Sequence, residues 1–403
     1  MSTAYDITIV GAGIVGATLA CALAQTTSLH IAVIDSHPLT PTWSPDRYDF
    51  RVSAITLASQ RIFQSLQLWK TILSKRCSPF DKMSVWDANS RGNIHFDSAD
   101  IGEAILGYII ENSAIHDSLL ERLQQHEQID LFFSLQLQTL QETAEYIELS
   151  TASTQPIRTK LLIAADGARS WVREQANIAI QKQAAEQTAI VTTVQTEHSH
   201  QLTAWQRFLP TGPLAFLPLA DRQHCSIVWS LPTVEAQRVL ALDDSVFAQT
   251  LSEAFEHRLG NITHTEKRHA FPLQRHLAET YVKPRLALVG DAAHTIHPLA
   301  GQGVNLGLLD AAVLCEVIQN ALAKKRDFSH LATLRRYERW RKGDNLLMFK
   351  AMETLNTLFA TEKSSIISLR GLGIHLTNQI PWVKNIFIRY AVGLQDNLPT
   401  LAR

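Results

Sequence analysis

Apolar and polar positions change period several times along the 403 residues. The β-branched run "ITIV" (7–10) reads as a buried strand. "GAGIVG" (11–16) follows at once, then an alanine-rich helical stretch to about Gln25, then a second buried run, "HIAVID" (30–35), ending in Asp35. Residues 54–76 predict helix, with an apolar face in "RIFQSLQLWKTILSK". "MSVWDANSRGNIHF" (83–96) predicts a hairpin turning at 89–92, and "SAIHDSLLERLQQH" (113–126) a further helix. From Leu135 the pattern alternates as strands and closes on a buried run, "LLIAAD" (161–166). Residues 187–232 are strand-rich, "RLALVGDAAH" (285–294) is a buried strand ending in Gly-Asp, and a helix runs from Val304 to about Lys325.

That order predicts an α/β fold with an inserted α+β part. A Rossmann-like nucleotide-binding domain is built from the discontinuous segments 1–72, 104–180 and 275–345, and a β-rich substrate domain from 73–103 and 181–274. A C-terminal helical region follows over 346–403. There, apolar residues recur at 383, 386, 387, 390, 391 and 394, one helical face, with Lys384 and Arg389 off it and the interface-favouring aromatics Trp382 and Tyr390 nearby. Such a face suits a membrane surface, the protein's own body or another subunit, so a homo-oligomer stays open.

Composition narrows the classes. Hydrophobic residues make up 46% and charged residues 19%, and the net charge of −1 offers no basic field for nucleic acid. The four cysteines are scattered, with no C-x-x-C. This predicts reduced thiols, a cytoplasmic protein and no metal site, and disfavours a disulfide reductase. The apolar stretch 7–24 is broken by glycines and preceded by no Lys or Arg, unlike a signal peptide. No uninterrupted apolar run is long enough to span a bilayer.

The candidate chemistry sits where the apolar strands end. Gly11, Gly13 and Gly16 lie between a strand and a helix, with Asp35 at the end of the next strand. In a dinucleotide-binding unit the helix N-terminus faces the pyrophosphate and the acid accepts from a ribose hydroxyl. "AADGARS" (164–170) and "VGDAAH" (289–294) put Asp166–Gly167 and Gly290–Asp291 at two further strand ends. "HPLAGQGVNLGLLD" (297–310) places three glycines and a proline in front of a helix, which suits a flat ligand lying against bare backbone. His294 and His297 flank that stretch and read first as hydrogen-bonding structural residues.

"GAGIVG", "ADGARS" and "GDAAH" resemble the three nucleotide motifs of the single-component flavoprotein aromatic hydroxylases, whose fold is that of p-hydroxybenzoate hydroxylase. "HPLAGQGVNLGLLD" resembles the signature of the ubiquinone-biosynthesis hydroxylases in that family. "RVSAI" (51–55), "LGYIIENSAIH" (106–116), "LAFLPLAD" (214–221) and "CSIVWSL" (225–231) are similar to the 2-polyprenylphenol (2-octaprenylphenol) hydroxylase branch. The resemblance implies FAD as cofactor, with Gly11, Gly13 and Gly16 at its pyrophosphate, Asp35 on the adenosine ribose and Arg51 near the pyrophosphate. Asn112 would lie on the flavin side of its helix, Asp166 and Gly167 would serve FAD and NAD(P)H, and Asp291, beside Gly290, would accept from the ribityl chain. Pro298 to Asn305 would line the flavin ring, with Pro298, Gly301 and Gln302 around the reacting edge and Gly303, Val304 and Asn305 at the helix start. It implies reduction by NAD(P)H, addition of O2 at flavin C4a and transfer of one oxygen atom to the ring of a polyprenylated phenol. A quinone-synthesis complex at the membrane surface would be the setting. No protein acid or base is assigned, and no second G-x-G-x-x-G follows a strand, so the reductant would dock transiently. Two alternatives stay open, a hydroxylase of a small soluble aromatic and a flavin-binding scaffold subunit.

Overall fold

In a computed structural model the protein is described over residues 3–90, 92–152, 155–183, 186–295, 303–361, 367, 371, 373 and 380–403, with 3, 183, 355, 356, 360, 381–383, 386 and 387 described in backbone alone. The helices used below are α1 (Ile14–Thr26), α2 (Leu57–Ser65), α3 (Trp69–Ser74), α4 (Asn112–Leu123), α5 (Trp171–Gln175), α6 (Thr233–Leu240), α7 (Asp244–Ala254), α8 (Gly303–Ala323), α9 (Leu331–Ala360) and α10 (Pro381–Ala391).

The strand Thr3–Val10 is the centre of an eight-stranded sheet. It pairs in parallel with Ile157–Ala164 on one side and Ile31–Ile34 on the other. The parallel set continues to Leu286–Leu288 and to Ile129–Phe132. Ile7, Thr8 and Ile9 are fully buried, which is why these strands read as continuous apolar runs: a parallel strand with both faces covered has no polar side to show. The α1 and α8 helices lie against each other, and the largest apolar core surrounds them and the sheet.

A second eight-stranded sheet is antiparallel apart from one pair and draws on 82–97, 187–232 and 262–272. The expected hairpin is present as Lys82–Asp87 against Asn93–Asp97. One face of this sheet, with Trp86, Leu214, Phe216, Ile227 and Trp229, forms its own core with Phe247 and Leu251 of α7.

Two expectations change. Residues 54–76 are not one helix: a strand, Val52–Ile55, precedes α2, and α3 follows a break at Leu66–Leu68. Thr56 caps α2 by accepting from the Ser59 amide, and Gln67 adopts φ +59, which ends the helix. The α8 helix is 21 residues long and apolar enough overall to cross a membrane, but Asn305, Asp310, Glu316 and Asn320 interrupt its apolar run, and it is mostly buried inside the protein. In α10 the expected face is covered only in part: Tyr390 and, beyond the helix, Leu394 pack on the protein's own body, Ala391 is exposed, and Ile388 and Val392, off that face, are buried with Leu57, Phe80 and Leu106. The side chains of Val383, Ile386 and Phe387 lie outside the described residues.

Candidate active site

The three glycines of the first turn have different physical reasons to be there. Gly11 has φ +105, and a Cβ on it would lie 2.3 Å from the Ala165 carbonyl oxygen. A Cβ on Gly16 would lie 2.0 Å from the Gly11 oxygen. Both residues are therefore required by the turn and by the close approach of α1 to the sheet. Gly13 differs: it is exposed, and a Cβ there would meet nothing within 4 Å. It opens onto a cleft.

The α1 helix begins at that opening with no side-chain cap and no acid in its first turn. Its first amides point at the cleft unpaired within the helix, the arrangement that binds phosphate. Asp35 lies beside the turn. Its Oδ2 accepts from the Ala12 amide (2.8 Å), and its Oδ1 from the His37 amide (2.8 Å) with His37 Nδ1 3.0 Å away. A carboxylate has about four acceptor positions, so one remains for a ribose hydroxyl. His116 Nε2 lies 3.0 Å from the Ala12 carbonyl and ties α4 to the same turn.

Asp166 follows the strand Ile157–Ala164, and Gly167 takes φ +79. Asp166 Oδ2 accepts from the Val172 amide (3.1 Å), but its buried Oδ1 has no partner. Burial raises its pKa above the ordinary carboxylate range. Asp291, in the Gly290–Ala292 turn, is exposed although protein surrounds it closely. Burial and the neighbouring Asp310 push its pKa up, and His294 and Arg51 pull against that rise. Arg51, itself exposed, thus shares a field with Asp291. The Arg51 carbonyl accepts from the Asn112 amide (2.9 Å), and Asn112 Oδ1 accepts from Ser53 Oγ (2.6 Å), which seats the start of α4 beside Arg51.

Gly303 opens α8, and a Cβ there would meet nothing within 4 Å; Val304 is half-buried. Asn305 is occupied otherwise than by a ring. Its buried Oδ1 accepts from the Thr56 amide (3.1 Å) and Ser59 Oγ (2.7 Å), and its Nδ2 donates to the Ala54 carbonyl (2.7 Å). The side chain binds α8 to α2. Pro298, Gly301, Gln302 and His297 lie outside the described residues.

Other residues hold the turns together without having stood out in the sequence. Arg173, 3% exposed, donates to the Ala168 carbonyl (2.9 Å) and the Ala292 carbonyl (2.9 Å), clamping the Asp166 and Asp291 turns to each other. His276 Nε2 lies 3.0 Å from the Asp291 carbonyl; burial, then the charge of Arg173, lowers its pKa to about 4. Asp310, fully buried, bonds to the Gly290 amide, His294 and Arg341. A charged residue inside "GLLDAAVLC" was the available signal, since a buried acid needs partners. Arg341 sits in "RRYERWRK", where nothing separates it from its exposed neighbours.

The second sheet contributes an apolar wall. In register, Met83 and Val85 lie beside Ala204 and Gln206, and these beside Leu217 and Ala215, on the face opposite the sheet's own core. Val85, Ala215 and Leu217 are only half-buried. Phe208, on the same face, stacks on Phe359 of α9 at 3.9 Å and 15°. Gln206 is the polar side chain of that group, and the buried carboxylate of Asp87 stands beside Phe208 at its end.

An uncapped helix N-terminus above an open glycine, an acid with one acceptor position to spare, a partnerless Asp166 oxygen and an accessible Asp291 fit an extended dinucleotide. Fold and cleft together define an FAD-binding monooxygenase of the p-hydroxybenzoate hydroxylase type. The family described as "FAD binding domain" matches residues 4–345. The chain is 35% identical over 389 residues to 3-demethoxyubiquinol 3-hydroxylase of Escherichia coli (strain K12), covering 96% of this chain and 98% of that one. It is 37% identical over 388 residues to ubiquinone hydroxylase UbiL of Rhodospirillum rubrum, covering 96% and 89%. It belongs to the FAD-binding monooxygenase family that includes the hydroxylases of ubiquinone biosynthesis. In fold it is similar to p-nitrophenol 4-monooxygenase PnpA from Pseudomonas putida DLL-E4, with a TM-score of 0.78 at 18% identity over 97% of this chain and 99% of the other.

Proposed function

We propose that the protein hydroxylates the aromatic ring of a polyprenylated phenol in ubiquinone biosynthesis, taking electrons from NAD(P)H and one oxygen atom from O2. The observation that carries the reading is the near full-length identity to relatives named for ubiquinone hydroxylation. The half-buried apolar wall of Val85, Ala215 and Leu217, without a charge among them, supports a hydrocarbon-rich substrate over an aromatic acid, which would need a cation there.

The chemistry FAD supplies when bound is two-electron transfer from NAD(P)H and activation of O2. The chain's own residues bind and orient. The amides at the start of α1 and Gly13 would hold the pyrophosphate, with Arg51 adding positive charge. Asp35 would accept from the adenosine ribose, and Asp291 from the ribityl chain. Asn112, Asp166 and Gly167 would close the cleft around the isoalloxazine side, and Pro298 to Val304 would lie along the ring. The second sheet's apolar face would exclude water and set the phenol against it. The segments 1–72, 104–180 and 275–345 would carry FAD, 73–103 and 181–274 the substrate, and 346–403 would cover it. The protein would work in the cytoplasm, with the C-terminal region meeting a membrane surface or partner subunit.

Deleting the gene and identifying the accumulated precursor by mass spectrometry tests the reading. Loss of ubiquinone with build-up of an under-hydroxylated polyprenylphenol is the expected result. Unchanged ubiquinone, with no second hydroxylase covering the step, would refute it.

A further inference from the structure

Asp310 lies seven residues into α8 and is 0% exposed. A carboxylate so placed is unfavourable unless donors replace its lost water. Four do. Oδ2 accepts from the Gly290 amide (3.1 Å) and from His294 Nε2 (2.5 Å), and Oδ1 from Arg341 Nε (2.8 Å) and Asn345 Nδ2 (3.3 Å). Burial pushes the Asp310 pKa up, but His294 and Arg341 outweigh it and bring it down to about 2, so the group is ionised. The donors come from three places: the turn that carries Asp291, His294 in the short strand that follows it, and α9.

The close approach behind this is built in. A Cβ on Gly307 would lie 2.5 Å from Val15 Cγ2 and 3.3 Å from the Gly290 Cα. Without a side chain there, α8 presses on the Gly290 turn, and Asp310, one helical turn on, reaches it. An apolar residue would fill the space as well; four converging donors ask for a fixed geometry. The α9 helix extends the connection. Its Met348 and Phe349 pack on Leu306 in the first turn of α8, and its Phe359 stacks on Phe208 of the apolar wall.

We propose that Asp310 is a positioning residue. Its carboxylate fixes the Gly290–His294 turn against α8 and, through Arg341, against α9. It thereby sets where Asp291 stands relative to bound FAD. This rests on the reading of the cleft as the FAD site of a hydroxylase. Oxygen transfer needs closer alignment than electron transfer, and a displacement of about an ångström can cost on the order of a hundredfold in a positioned reaction. Loss of Asp310 therefore shows in coupling before it shows in flavin reduction.

Asp310→Asn keeps the shape and removes the charge. The measurements are FAD affinity by fluorescence titration of the apoprotein, visible circular dichroism of the bound flavin, and product and hydrogen peroxide formed per NAD(P)H. The expected result is retained folding, an altered flavin dichroism band and FAD affinity weaker by about tenfold. Product per NAD(P)H should fall by about tenfold or more, with peroxide making up the difference. Should that variant not fold, Asp310→Leu/Arg341→Met removes both buried charges, a change such pairs often tolerate, and should fold while staying uncoupled. His294→Ala leaves the Asp310–Arg341 pair intact and should move dichroism and coupling in the same direction. Wild-type dichroism and coupling in any of these folded variants would overturn the proposal. Failure of the underlying reading looks different: the unaltered protein, loaded with FAD, would then form no hydroxylated product at all.

Discussion

Gly11 lies so close beneath Ala165 that a Cβ on it would sit 2.3 Å from the Ala165 carbonyl oxygen, although the two are far apart in sequence. Two residues on, Gly13 faces open space. The pair separates packing from binding. Gly11→Ala should destabilise the fold, because φ +105 and the carbonyl both oppose a side chain. Gly13→Val should fold with a wild-type melting curve and emerge colourless, since its methyl groups would stand where the pyrophosphate belongs. Flavin absorbance at 450 nm per polypeptide, set beside Tm for both variants, checks this on the order of a tenfold loss of FAD. Stoichiometric flavin in folded Gly13→Val would remove the turn from the site.

Asp291 is expected to bind through its carboxylate. A hydrogen bond to a charged group contributes about 1.5–3 kcal/mol, so Asp291→Ala should weaken FAD by about 10- to 150-fold. Titrating the apoprotein with FAD measures it, and an unchanged Kd would mean that the carboxylate makes no contact with the cofactor.

Acid should act on His276. Its pKa is about 4 in the folded protein against about 6.5 when unfolded, so the unfolded chain binds the extra proton between those values. The stability contributed by the neutral, buried ring is complete above pH 6.5 and is lost as pH falls toward 4. Between pH 7 and pH 5, Tm should drop by about 2 °C from this group in a chain of this size. His276→Gln, which cannot take up the proton, should flatten that part of the Tm–pH curve; the same slope in the variant would exclude His276 as its source.

Leu217 tests the apolar wall. It is half-buried on the face that carries Ala215 and Val85 and packs at one end against Phe80, Ile388 and Val392, so Leu217→Trp adds bulk to that face without entering the sheet's own core. Overpacking there should lower Tm modestly, while FAD content stays unchanged and KM for a polyprenylphenol rises by about tenfold or turnover falls as much. Steady-state kinetics with phenols of increasing prenyl length would show it, and kinetics equal to wild type for every substrate would place the substrate elsewhere.

The strand–glycine–helix unit, the hairpin at 82–97, the buried run ending at Ala164 and the helix after 303 were all legible in the sequence, because each follows from the spacing of apolar residues over a few turns or pleats. Gly11, Gly13 and Gly16 were legible as a turn, but not the division of labour between them. That depends on Ala165, more than a hundred residues away, and on which direction is left open. Asn305 was read with the ring-lining stretch, and only the packing of α8 against Thr56 and Ser59 turned its side chain inward. The break at Gln67 needed a left-handed residue that no local pattern announces.

Sequence by itself determined most of the strands and helices, pointed to a dinucleotide at the first turn, and carried a charge that favours no nucleic acid. Tertiary structure decided what those turns are fastened to. Arg173 joins Ala168 to Ala292, and Asp310 joins Gly290, His294 and Arg341, across chain separations that periodicity does not span. The physical reason is that a backbone period reports which face of an element is dry, whereas a buried charge is tolerable only where donors from other elements meet it, and those meetings are set by how the elements pack.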